Sequence, residues 1–174
     1  MADESASPKP VRLTGVLGVW LFFAAIVVLR LRSGEDWVPI LDSANLVIHE
    51  AGHPLVGLFS SRLSVYGGAL FQLLFPLLVV VHFLRRGEGV GAAVGGVWLG
   101  ENLLNVARYM ADARAQVLPL VGGGHHDWAE IFNRWDVLAA DTTIAGLIAF
   151  FGWALMLAAP AWVTWVWWRD SEYT

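Results

Sequence analysis

The sequence predicts an all-α fold: a polytopic bundle of about five transmembrane helices, with a short amphipathic helix between spans four and five. Three observations predict it. The chain is 57% hydrophobic and only 15% charged, whereas a soluble domain carries about 25% charged residues. Its ten tryptophans suit the membrane interface, where indole rings collect. Its apolar residues also fall into five blocks separated by glycine, proline or paired arginine, the pattern of spans joined by short loops.

Each element has a local reason. Residues 1–11, MADESASPKPV, are polar and proline-containing and read as a disordered tail, leaving residues 12–170 as one transmembrane helical domain. Leu13 to Leu31 forms the first span, closed by Arg30 and Arg32. It is too long, and too poor in a small-residue cleavage site, for a removed signal peptide. The second span, about Ile40 to Phe59, opens at Asp42 or Ser43, either of which can cap its first turn. SSRLSVYGG reads as a loop into the third span, Ala69 to Leu84, which stops at Arg85-Arg86. His82, alone near that end, reads as an interfacial histidine. The fourth span, Val90 to Asp112, starts in GVGAAVGG, whose small residues let membrane helices approach closely. Pro119 and the glycines at 122–124 break the chain after it. From Asp127 an amphipathic helix is expected at the membrane surface. The last span, Thr143 to Trp168, ends in WVTWVWWRD, an aromatic belt meeting water.

Composition also excludes function classes. There is no cysteine, which removes disulfides, thiolate ligands and a cysteine nucleophile. No basic run is present to grip nucleic acid, and no serine sits in a nucleophile-elbow setting. The partners expected are membrane lipid and a membrane-protein or peptide substrate.

The second span carries the chemistry. In NLVIHEAGHPLVGLF, residues 45 to 59, His49 and His53 stand four apart, so both imidazoles leave one helical face and can bind a single Zn²⁺. Glu50, rotated about 100° from His49, can reach a metal-activated water as general base. Asn45, one turn earlier, extends the polar stripe as a group that orients an imidazole. Three ionisable groups within five residues of a span call for a functional reading. The plainer alternative is a stripe that bonds to neighbouring helices.

A metal site needs a further ligand, and the residues leave several candidates open. Glu101, Asn105, Arg108 and Asp112 recur at helical spacing along the fourth span. Of these, Glu101 or Asp112 can ligate, Asn105 can orient a ligand, and Arg108 can neutralise a neighbouring carboxylate. WLGENLLN, containing Glu101, resembles the helix that gives zinc its glutamate in thermolysin-like zincins. Downstream, GGGHHDW offers His126, with His125 beside it. Asp127 there can act as the carboxylate orienting that imidazole or as a helix cap.

HEAGH within a span of a small polytopic protein resembles the intramembrane metalloproteases of the site-2 protease family. That resemblance implies zinc on His49 and His53, with Glu50 as base. The family's later Leu-Asp-Gly aspartate is absent, and Asp112 is its loose counterpart. YMADARAQVLPLVGGGHHDW is also similar to a stretch in small bacterial membrane proteins that carry HExxH. This second likeness runs from about Asn45 to Trp135 and implies a bacterial cytoplasmic membrane. It joins Asp112 and the His126-Asp127 pair to HEAGH as one unit, favouring His126 or Asp112 over Glu101 as the remaining ligand.

The function expected is a membrane-embedded zinc-dependent hydrolase, a peptidase using a metal-activated water. The alternative is a non-catalytic metal-binding membrane protein with a structural, sensing or transport role, its metal closed in by His49, His53, Asp112 and His126.

Overall fold

The computed structural model describes residues 8–34, 36–121 and 124–172. They form six α-helices: α1 Leu13–Ser33, α2 Leu41–Gly57, α3 Ser64–Arg85, α4 Gly89–Ala111, α5 Asp127–Arg134 and α6 Asp141–Ser171. No strand occurs among the described residues. The expected tail falls largely on residues 1–7, which lie outside the described set. Residues 8–12 run beside the α3–α4 turn, where Lys9 N–H donates to the Gly87 carbonyl at 2.9 Å.

All five apolar blocks are helical, but only three helices are long and apolar enough to cross a membrane: α1, α3 and the stretch Leu138–Ser171 that contains α6. This corrects the expectation of five spans. At 17 residues, α2 is about 26 Å long, short of a hydrocarbon core of about 30 Å. α4 is long enough, but Glu101, Asn102, Asn105 and Arg108 interrupt its apolar run.

α4 is the axis of the bundle. It packs antiparallel against α6 on one side and α3 on the other, while α2 packs chiefly against α3. The contact with α6 depends on small residues. A Cβ added at Gly100 would lie 2.7 Å from the Gly152 carbonyl oxygen, so side chains larger than hydrogen would force the two helices apart. GVGAAVGG is thus a packing surface: Ala92, Ala93, Gly95 and Gly96 are all buried.

Two apolar clusters hold the ends of the bundle. One gathers Val16, Val19, Ile26, Val97, Met156 and Val163 from α1, α4 and α6. The other joins Val106 and Met110 of α4 to Trp128, Ile131 and Phe132 of α5 and Ala145 of α6. The apolar face of α5 is therefore turned inward, onto the bundle. Burying each of its large side chains contributes roughly 1.5–3 kcal/mol, which anchors an eight-residue helix that would not form alone. The consequence for the site is positional: the first turn of α5 is held over the C-terminal half of α2.

Candidate metal centre

The two histidines of HEAGH are each fixed by a hydrogen bond at Nδ1. His53 Nδ1 lies 2.9 Å from the Ser64 carbonyl oxygen, and the Ser64 hydroxyl donates back to the His53 carbonyl at 2.9 Å. A carbonyl only accepts, so His53 carries its proton on Nδ1. His49 Nδ1 lies 3.0 Å from Gln72 Oε1, and Gln72 in turn donates through Nε2 to Asn105 Oδ1 at 2.9 Å. That orientation of the amide makes His49 a donor at Nδ1 as well. Both rings are left with Nε2 facing inward, their centroids 5.0 Å apart.

What the two Nε2 atoms face is Asp127. Its Oδ2 is 2.9 Å from His49 Nε2 and 3.2 Å from His53 Nε2. Two neutral imidazole lone pairs aimed at a carboxylate oxygen repel unless a cation lies among them. The spacing suits one: a tetrahedral ion with bonds of ~2.0–2.1 Å has ligand–ligand edges of about 3.4 Å. Protons can serve when the metal is absent. Burial works to raise the Asp127 carboxyl, but hydrogen bonds from His49 and His53 outweigh it and hold it below the usual carboxylate range.

α5 sets Asp127 there. The cap of this helix is His126, whose Nδ1 accepts from Ala129 N–H at 3.2 Å, and Asp127 N–H donates to the Tyr109 hydroxyl at 3.1 Å. The Asp127 carboxylate is thereby spared from capping and turned to the histidines. Glu50 completes the group, its ligand atom within 4.8 Å of those of His49 and His53. Among the described residues no hydrogen bond or ion pair holds the Glu50 carboxylate. The group opens on a cavity of about 620 Å³, lined also by Trp37, Arg108, Tyr109 and the 118–121 loop.

The other residues singled out from sequence lie elsewhere. With Nδ1 committed to Ala129 N–H, His126 carries its proton on Nε2, 3.3 Å from Asp112 Oδ2, and has no lone pair left for a metal. Burial lowers the pKa of its imidazole, outweighing the opposing pull of Asp112. Asp112 also accepts from Val117 N–H at 2.9 Å and Leu118 N–H at 3.1 Å, which ties it to closing the loop. Neither residue lines the cavity. Glu101, fully buried, accepts from Asn45 Nδ2 at 3.0 Å and lies 3.9 Å from Arg30 Nη1. Asn45 serves that cluster, taking Trp98 Nε1–H at 2.9 Å, and makes no bond to His49. Asp42 does not cap its own helix with its side chain; its Oδ2 accepts from Val38 N–H at 2.6 Å. Asn105 does support the centre, at one remove through Gln72.

Sequence reading passed over Gln72 and Tyr109. Gln72 had a signal, as a lone amide in the apolar run GALFQLLFPLL. Tyr109 had none, because an aromatic near a helix end is ordinary.

Among known proteins, no family model, curated protein or solved structure matches the chain. The likeness to site-2 proteases therefore rests on HEAGH and its helical setting.

Proposed function

We propose that the chain is a membrane-embedded zinc-dependent hydrolase acting on peptide bonds, with His49, His53 and Asp127 as ligands and Glu50 as general base. The observation that carries this reading is the convergence of two Nε2 atoms and the Asp127 carboxylate on one point, beside a Glu50 that no described residue pairs with. Three protein ligands leave a fourth position for water or substrate, as catalytic zinc sites require. Zinc there supplies a Lewis acid that polarises a carbonyl and lowers the pKa of water towards ~7. Glu50 takes the proton from that water and returns it to the leaving amine. The cavity, about 620 Å³, is of a size that encloses a small ligand.

A non-catalytic metal site is the second reading, and it needs a closed shell. Asp112 and His126, which would close it, are committed to each other and to the loop, which favours the open site.

The test uses purified full-length protein in detergent, with metal content and cleavage of a fluorogenic peptide library as readouts. Wild type is expected to hold one zinc, and His49→Ala and Asp127→Ala below about 0.1 per chain. Glu50→Gln is expected to keep the zinc and lose cleavage by at least ~100-fold. Full cleavage by Glu50→Gln would rule out the hydrolase mechanism, and zinc-free wild type would rule out both readings.

A further inference from the structure

One charge in the cavity is left unused by the hydrolytic reading. Arg108 lines the same cavity as His49, Glu50, His53 and Asp127, on α4 one turn beyond the Asn105 that supports Gln72. Its guanidinium carbon lies 5.8 Å from the centroid of the Trp37 ring. Among the described residues no carboxylate pairs with it, and no hydrogen bond occupies its donors. The acidic residues on its own stripe are engaged elsewhere, Glu101 with Asn45 and Arg30, Asp112 with His126 and the loop. The other arginine of the cavity, Arg134, is paired with Glu130.

A half-buried guanidinium is expected to find an anionic partner, because its donors lose water without replacement. The Trp37 ring gives the guanidinium a cation–π neighbour but takes none of its N–H groups, which can grip a planar acid in two parallel hydrogen bonds. We propose that Arg108 is the substrate anchor of this centre, holding a carboxylate of a peptide substrate while the scissile carbonyl lies at His49, His53 and Asp127. The assignment rests on the hydrolytic reading of that centre. A singly charged acid suits it, since among the described residues one free cation faces a cavity that Glu50 and Glu130 also line. A planar carboxylate also matches the fork. The substrate is thus a peptide whose C-terminal carboxylate or acidic side chain lies a short reach from the bond cut.

The experiment measures binding of hydroxamates, which chelate zinc, to zinc-loaded full-length protein by titration calorimetry. Each probe carries a terminal carboxylate, its methyl ester or a phosphonate, on a graded series of alkyl spacers. At the best length the carboxylate is expected to bind at least about tenfold tighter than the ester, the effect of a charge-assisted hydrogen bond. Arg108→Gln is expected to erase that preference while zinc content and ester affinity stay unchanged, and Arg108→Lys to keep part of it. The same preference in Arg108→Gln, or no preference at any length, would overturn the anchor. A phosphonate bound tighter than the carboxylate would overturn the substrate class and point to a phosphorylated or lipid ligand. If even the esters fail to bind, the metal reading of the centre is wrong and the anchor falls with it.

Discussion

Gly68→Ala tests the placement of the proposed metal centre without touching a proposed ligand. A Cβ built at position 68 lies 2.6 Å from His49 Cε1 and 2.7 Å from Cδ2, and closer still to Nε2. Restoring ordinary contact, 3.4 Å or more, requires the ring to move by about 1 Å at its nearest atom. A zinc–nitrogen bond tolerates about ±0.2 Å, so the shift is several times what the centre can absorb. The ring cannot yield freely, because its Nδ1 is held by Gln72 and its helix is pressed against α3. Gly52 and Gly67 meet there so closely that a Cβ on either would collide with the other's carbonyl. Zinc affinity is expected to fall by about 10–100-fold, the range seen when groups that orient ligands are disturbed. Helix propensity acts the other way, since alanine in place of a helical glycine gains up to ~1 kcal/mol, so helicity should be preserved. The assay is chelator competition on purified protein, with Gly18→Ala as control because nothing lies within 4 Å of its added Cβ. Wild-type zinc affinity in Gly68→Ala would refute the position assigned to His49 Nε2.

Three further outcomes are expected. Gln72→Leu removes the acceptor at His49 Nδ1 and should weaken zinc about tenfold or more, checked by the same competition; unchanged affinity would show that the ring is oriented by something else. Asp127 carries a depressed pKa in the folded, metal-free chain. Its contribution to stability is therefore complete above the unfolded value of ~3.9 and is lost as pH falls through the lower folded value. Unfolding temperatures of wild type and Asp127→Asn should differ at neutral pH and converge in acid; a gap that persists at low pH would contradict the pairing. Arg30→Met removes the nearest cation from buried Glu101, 3.9 Å away with no hydrogen bond between them, and should cost about 1–3 kcal/mol, part of it recovered in Arg30→Met/Glu101→Gln. Equal losses in the single and double variants, read from denaturation, would show that the two are not coupled.

The helices were legible because apolar runs of this length have no other stable form in an all-α chain. Boundaries shifted mainly at α3, which starts at Ser64 where SSRLSVYGG suggested a loop. Gly67 and Gly68 look like turn punctuation in sequence, yet they serve packing, one against Gly52 and the other under the His49 ring. Of the site, HEAGH was readable because i, i+4 spacing alone brings two imidazoles to one face. The third group was not, since His126 and Asp127 are neighbours and both chemically able. Which one faces His49 and His53 depends on which one caps α5. That is a matter of helix phase, and spacing does not encode it. Glu101, the alternative ligand, has a depth on α4 that suits one, but Asn45 donates to it and Arg30 lies 3.9 Å away.

The polarity of α2 bears on how the protein is assembled. Within 17 residues α2 carries Asp42, Asn45, His49, Glu50 and His53. Asp42 lies in the first turn, but Glu50 stands near the middle of α2, where a carboxylate adds roughly 2.5–3.5 kcal/mol to the cost of insertion on the scale for aspartate. Val38 N–H, which holds Asp42, precedes α2, but the other groups that satisfy this face, Ser64, Gln72, Glu101 and Asp127, leave the ribosome after it. In a bilayer, α2 is the second helix made and among the last to be committed, settling only once α3, α4 and α5 have followed. A chain interrupted before α4 would therefore leave its HEAGH segment in water, with its histidines apart from Asp127.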